Sequence, residues 1–197
     1  MRKPIIAAVS YSYPPMNSPR AIQVERSLSG LPADVTMICG EDTLEKTDTT
    51  ISTGNESISN ISVIRLPYNR MPVLRKFDYA AYRARISCSH IPDPYRGWAR
   101  SALRELLRMH RQAELRPDIL VTFGSPMSDH LTGPEYKKRT GVPWIAHLSD
   151  PWSENPFRRD NFLTRRINRR LQDMVHREAD AIVYTSPETI DFVMKRY

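Results

Sequence analysis

The sequence predicts a doubly wound α/β fold, a mostly parallel sheet with helices on both faces, three αβα layers in all. Two observations carry that prediction. Short aliphatic, β-branched runs alternate along the chain with longer segments of helical period, and a repeated strand, helix, strand order builds a parallel sheet. Several of those runs are also apolar at nearly every position, as strands covered on both faces require. The chain has 197 residues, 40% of them hydrophobic. That is enough for one substantial core, so residues 1–197 are expected to form a single domain.

The elements follow in order. Pro4–Ser10 (PIIAAVS) is the first expected strand. Its basic start imitates a secretory leader, but the apolar part, IIAAV, is shorter than a leader core of roughly 7–15 residues. Pro19–Leu31 reads as a helix holding Ile22, Val24 and Leu28, and Asp34–Cys39 and Ile61–Leu66 read as strands. Arg96–Leu115 sets Trp98, Ala102, Leu106 and Met109 at helical spacing. Strand Asp118–Phe123 leads through a Ser-Pro loop to a helix starting near His130, then to strand Pro143–Leu148. Asn161–Glu178 reads as a helix with Leu163, Ile167, Leu171 and Met174 on one stripe. Strand Ala181–Thr185 follows, and Ser186-Pro187-Glu188 reads as the N-cap and first turn of a last helix. Two segments break the rhythm. Residues 41–60 are polar and rich in Thr and Ser, and residues 67–95 form a long connection with prolines near each end; both are expected to be loops or excursions.

The formal charge is +7, much of it from arginine runs such as Arg158-Arg159, Arg165-Arg166 and Arg169-Arg170. Basic surfaces attract nucleic acid, anionic lipid or phosphorylated small molecules, and charge alone does not choose among them. No apolar run approaches the roughly 20 residues that span a bilayer, so a cytoplasmic protein is expected. Cys39 and Cys88 stand far apart without a CxxC or a His partner at ligand spacing, which reads as two reduced thiols. His90, His110 and His176 share no metal-ligand spacing, and no metal site is expected.

In a doubly wound sheet, ligands bind beyond the C-terminal ends of the strands. Four loops therefore hold the candidates. After the first strand come Tyr13, Pro15, Met16, Asn17, Ser18 and Arg20; after the fourth, Ser125, Pro126 and His130; after the fifth, Ser149-Asp150-Pro151-Trp152; after the sixth, Ser186-Pro187-Glu188. Prolines in these loops restrict the backbone, so neighbouring side chains are aimed at low entropic cost. The first loop contains no glycine, and no GxxxxGK followed by Ser or Thr occurs; dinucleotide dehydrogenases and P-loop enzymes are thereby excluded. Ser18 either caps the next helix or, with Asn17, presents N–H groups to an anion. Asp150 has three readings: it caps its own turn, pairs with an arginine, or projects into a ligand cleft. Trp152 either packs in the core or stacks on a sugar face.

Taken together, four stretches resemble the N-terminal domain of a retaining, family 4 type glycosyltransferase of the GT-B fold. They are IIAAVSYSYPPMNSPRAIQVERSLSGL, PDILVTFGSPMSDHLTGPEYKKRTGVPW, IAHLSDPW and EADAIVYTSPETIDFVMKRY. The resemblance covers essentially the whole chain and implies a Rossmann-like, acceptor-binding half of a sugar transferase. It implies a nucleotide-sugar donor for the full-length enzyme, held chiefly by a C-terminal donor domain outside these residues, with no cofactor bound by this half. It implies that the isolated half is inactive. Asp150 falls at the matching strand end, with a positioning role in the interdomain cleft beside Tyr13, Pro15, Met16, Asn17, Ser18, Arg20, Ser125, Pro126, His130 and Trp152. The sequence departs from the pattern in its glycine-free first loop and in Ser149, where many relatives have Arg. Such enzymes act in cell-envelope polysaccharide synthesis, many on lipid-linked acceptors at the inner membrane face. Arg96, Arg100, Arg104 and Arg108 are then candidate contacts to an anionic membrane, against a plain solvated basic face. The competing class is a basic nucleic-acid-binding or adaptor module of α/β fold. It would want aromatics interleaved with arginine, whereas Trp144 and Trp152 lie outside the arginine runs; no nucleic acid partner is expected.

Overall fold

The structure, a computed structural model, describes residues 2–41, 60–68, 91–155 and 160–197. Within these the strands are β1 (Ile5–Val9), β2 (Asp34–Glu41), β3 (Ile61–Pro67), β4 (Ile119–Gly124), β5 (Trp144–Leu148) and β6 (Ala181–Tyr184). The helices are α1 (Pro19–Ser29), α2 (Arg96–Arg111), α3 (Thr132–Thr140), α4 (Phe162–Glu178) and α5 (Pro187–Met194), with a 3-10 turn at Met127–Leu131 ahead of α3. All six expected strands are present, and the Rossmann-like expectation holds. Most of residues 41–60 and 67–95, together with Cys88, His90, Arg158 and Arg159, lies outside the described residues.

The strands form one sheet in the order β3-β2-β1-β4-β5-β6, every pairing parallel. The winding runs outward from β1 to β3, then restarts at β4 beside β1. The β1–β4 border is thus the point where the direction of winding reverses and a crevice opens. Residue by residue, β1 shows why both faces must be covered. Ala7 and Val9 face one core with Trp98, Ala102, Leu106, Tyr136 and Val175. Ile6 and Ala8 face a second core with Val24 and Leu28 of α1. Successive side chains on a strand alternate faces, so a continuous apolar run feeds two layers. Among the described residues the layers are unequal: α2, α3 and α4 contribute to the first core, and α1 alone of the described helices contributes buried residues to the second.

The starts of α1 and α5 follow the capping residues read from the sequence, Ser18 and Ser186, and Asn161, expected inside α4, is its cap instead. Ser18 Oγ accepts the Ala21 N–H at 3.2 Å, Asn161 Oδ1 the Thr164 N–H at 2.7 Å, and Ser186 Oγ the Thr189 N–H at 3.2 Å, each satisfying an N–H that the helix leaves open. One expectation needs correction. The stripe Leu163, Ile167, Leu171 and Met174 does not supply the fully buried row of α4; Asn168, Gln172 and Val175 do, one residue onward from Ile167, Leu171 and Met174. The reason is the loop after β5, which runs beneath this helix. The Trp152 Nε1–H donates to Asn168 Oδ1 at 3.1 Å, and the Ser153 N–H donates to Gln172 Oε1 at 2.7 Å. Buried donors need acceptors, and here that need outranks the apolar stripe.

Candidate functional site

At the C-terminal rim of β4, β5 and β6, beside the first turns of α1, lies an open cavity of about 630 Å³. Arg20 and Gln23 of α1, Ser125 after β4, Ser149 and Asp150 after β5 and Thr185 after β6 line it. The loop after β5 is built to present the carboxylate. Asp150 is exposed, while Trp152 two residues on is 1% exposed and anchored to Asn168. Ser149 Oγ lies 3.0 Å from Asp150 Oδ2, and Thr185 Oγ1 donates to the Ser149 carbonyl at 2.8 Å. The tryptophan pulls the chain inward, the two hydroxyls hold the turn, and the carboxylate is left at the rim.

Arg20 of α1 lines the same cavity. It is 9% exposed, its Nη2 donates to the His147 carbonyl at 3.2 Å, and its guanidinium lies 5.7 Å from the Phe123 ring centroid. Nη1 donates to Gln23 Oε1, and Nε has no partner among the described residues. Burial brings its pKa down to about 10, while Asp129 and Asp150 oppose that shift; the group stays cationic at neutral pH. Arg20 and Asp150 thus share one cavity with the hydroxyls of Ser27, Ser125, Ser149 and Thr185 and the Gln23 amide. That set suits a polyhydroxyl ligand, or one carrying an anionic group.

Beneath the rim, Asp129 ties two of the loops together. Its Oδ2 accepts the Tyr11 N–H at 2.7 Å, joining the loop after β4 to the loop after β1. The side chain is fully buried, and burial raises its pKa well above the usual carboxylate range, with the Tyr11 N–H opposing and Asp93 adding to the rise. His130 sits next to it. The Trp144 indole donates to Thr122 Oγ1 at 2.8 Å, and Thr122 Oγ1 lies 2.8 Å from His130 Nδ1. An indole only donates, and a threonine hydroxyl has two acceptor sites and one proton, so Thr122 joins both rings, while His130 Nε2 is buried without a partner among the described residues. That nitrogen faces Gly124, where a Cβ would lie 2.5 Å from it; glycine makes room for the ring under the rim. Burial, and then the Arg20 charge, bring the His130 pKa down to about 3, so the ring is neutral.

The structure sorts the expected cleft residues into two groups. Arg20, Ser125 and Asp150 meet around the cavity. Pro15 and Asn17 are exposed and Met16 and Ser18 half-buried in the loop after β1, next to the cavity but not on its wall. Tyr13, Pro126, His130 and Trp152 are interior residues rather than cleft residues. Tyr13 packs with the second core, and burial pushes its hydroxyl up to about 12. Sequence reasoning missed Thr185, one residue before the loop it singled out, and Asp129, whose linking role depends on a contact spanning 118 positions.

Arg96, Arg100, Arg104 and Arg108 lie on α2, away from this cavity. Arg96 reaches the Ile91 carbonyl at 3.5 Å and Arg104 the Ser101 hydroxyl at 3.0 Å. Arg108 is paired with Glu105 at 2.8 Å and Glu114 at 2.9 Å. Arg104 and Arg108, with Arg111 and Arg139, border a second cavity of about 660 Å³ between α2 and α3. All three tryptophans are buried, so none offers a face for base stacking.

Over residues 23–195 the chain matches the family model for the glycosyl transferase 4-like domain. The chain belongs to that family. No curated protein sequence matches it. Among solved structures this glycosyl transferase 4-like domain is similar to a UGT transferase from Siraitia grosvenorii in complex with UDP. The TM-score is 0.51 at 13% identity, over 98% of this chain and 47% of that one. It is also similar to Phytolacca americana UGT2 complexed with UDP-2fluoro-glucose and pterostilbene, with TM-score 0.46, 18% identity, 77% of this chain and 31% of that one. Likeness at these identities concerns the fold alone. The glycosyl transferase 4-like domain spans less than half the length of either neighbour.

Proposed function

We propose that this domain is the acceptor-side half of a glycosyltransferase of hexosyltransferase type. The complete enzyme would move a sugar from a nucleotide-sugar donor to a saccharide, lipid-linked or small-molecule acceptor. The observation that carries this reading is the open cavity at the strand-end rim, which Asp150 and Arg20 both line. In this reading an acceptor hydroxyl donates to the Asp150 carboxylate, and Ser125, Thr185 and Gln23 take further hydroxyls. Holding the acceptor in one orientation is the contribution asked of this half, because positioning alone removes a large part of a bimolecular barrier. A second lobe supplies the donor and closes the space. UDP bound by the Siraitia grosvenorii protein supports a nucleotide-sugar as donor class. A lipid-linked acceptor would place the enzyme at the cytoplasmic face of a membrane, in cell-envelope polysaccharide synthesis. No helix among the described residues is long and apolar enough to cross a bilayer.

Two assays test the division of labour. Incubated with a panel of nucleotide sugars and acceptors, the 197-residue chain is expected to transfer nothing; turnover by it refutes the proposal. In the complete enzyme, Asp150→Asn is expected to lower kcat/KM for the acceptor about tenfold or more, the loss of one charge-assisted hydrogen bond, with donor KM unchanged. An unchanged acceptor kcat/KM removes Asp150 from the site.

A further inference from the structure

The basic surplus of the chain has a specific location. On α4, Arg165, Arg166, Arg169 and Arg170 recur at spacings of one and four residues and so form one arc, Arg165 and Arg169 flanking the buried row of Asn168, Gln172 and Val175 and Arg166 and Arg170 opposite it. All four are exposed, as is Arg177 two turns further on. No side-chain hydrogen bond or ion pair among the described residues engages any of the five. The helix's own acids do not neutralise them: Asp173 is held by Arg196 at 2.7 Å, and Glu178 lies at the far end. At the other end, where the arginine face begins, Phe162 is 79% and Leu163 51% exposed. On the neighbouring helices some arginines are ion-paired, although Arg100, Arg104 and Arg111 of α2 make no ion pair among the described residues. Arg108 on α2 sits between two glutamates, and Arg139 on α3 is paired with Glu135 at 2.6 Å.

We infer that the outer face of α4 is a docking surface for an anionic bilayer. Unpaired guanidiniums match headgroup phosphates, and an exposed aromatic and an aliphatic side chain at one end of the row suit the headgroup–acyl boundary. A duplex would be met by the arginines but gives Phe162 nothing to enter. A single strand would want aromatics interleaved along the row rather than gathered at its end. The inference moves membrane contact from the α2 arginines to α4 and rests on the lipid-linked form of the proposed function.

The test is flotation of the purified 197-residue chain with vesicles, which needs no transfer activity. Vesicles of phosphatidylcholine alone are compared with the same lipid containing about a third phosphatidylglycerol. The chain is expected to float with the anionic vesicles, to stay behind with the neutral ones, and to be released as salt rises. Replacing Arg165, Arg166, Arg169 and Arg170 together by Gln should weaken binding at least about tenfold. Arg165→Gln with Arg166→Gln should give an intermediate loss, and Phe162→Ser a further one. Arg100→Gln with Arg104→Gln on α2 should leave it unchanged. Circular dichroism confirms that each variant folds. Equal binding to neutral vesicles, no binding to either, full binding by the fourfold variant, or an effect confined to duplex DNA each overturns the inference. Vesicle binding through α4 by an enzyme that prefers a water-soluble acceptor would leave this surface standing and remove only the lipid-linked reading.

Discussion

Asp150 and Trp152 stand two residues apart and meet opposite environments, and that contrast explains the local sequence. Trp152 is buried with its indole bound to Asn168, while the Asp150 carboxylate faces the cavity. Exposed as it is, Asp150 contributes little to stability: Asp150→Asn should shift a urea denaturation by no more than about 0.5 kcal/mol, whatever it does to acceptor binding. The buried groups below the rim behave differently. Folded His130 stays neutral down to about pH 3, whereas the unfolded chain takes up that proton near 6.5. Between those values the unfolded state binds more protons, so stability falls as pH drops through the window. His147, brought down to about 4 by burial and Arg20, acts with the same sign. Asp129 acts oppositely: folded, it keeps a proton that the unfolded chain loses above about 3.8, so its contribution is lost as pH rises. Urea midpoints at pH 7 and pH 4.5 separate them. The drop toward acid should be smaller in His130→Gln than in the parent chain, and an equal drop would show that the ring does not resist protonation. Of these residues, the Asp-Pro-Trp sequence was legible because its types and position at a strand end are local. The interior place of His130 was not, since it depends on Thr122, Trp144 and Gly124 meeting through the fold.

At the scale of elements, strands and the caps of α1 and α5 were legible because their signals lie within a few residues: apolar runs for buried strands, and Ser before a helix start. The inward face of α4 was not, because the loop that crosses beneath it sets the requirement. Asn168→Ala should therefore cost more than its small size implies. It leaves the Trp152 N–H buried without an acceptor, a loss of about 1–3 kcal/mol, readable by chemical denaturation. Ile167→Ala, on the half-buried stripe, should cost less; the reverse order would restore the stripe first read from the sequence. Gly133 shows a second tertiary requirement. A Cβ there would lie 2.0 Å from the Trp144 ring, which is fully buried and bonded to Thr122. Gly133→Ala should destabilise by about 1–3 kcal/mol or more, as overpacking does, seen as a lower urea midpoint. No sequence pattern on α3 announces that contact.

For the whole molecule, the winding order determines where chemistry can occur. The sheet reverses direction between β1 and β4, and the loops after β4, β5 and β6 gather with α1 around an open space. The unequal layers complete the picture: among the described residues three helices stack against one face of the sheet, and the cavity lies beside α1, the described helix that covers the other. The fold class and the rim were readable from alternation and from the strand-end rule. The pairing of Arg108 on α2 and the unpaired arginine row of α4 were not, because pairing is decided by acids such as Glu114 and by Arg196, which removes Asp173 from the α4 face. The most direct test of the central claim is an amide NMR titration of the 197-residue chain with candidate acceptor saccharides, including phosphate-linked ones. The account predicts shifts centred on Arg20, Ser125, Ser149, Asp150 and Thr185, absent in the Asp150→Asn, Arg20→Gln double variant. Shifts centred instead on the groove between α2 and α3, or unaltered in that variant, would contradict it.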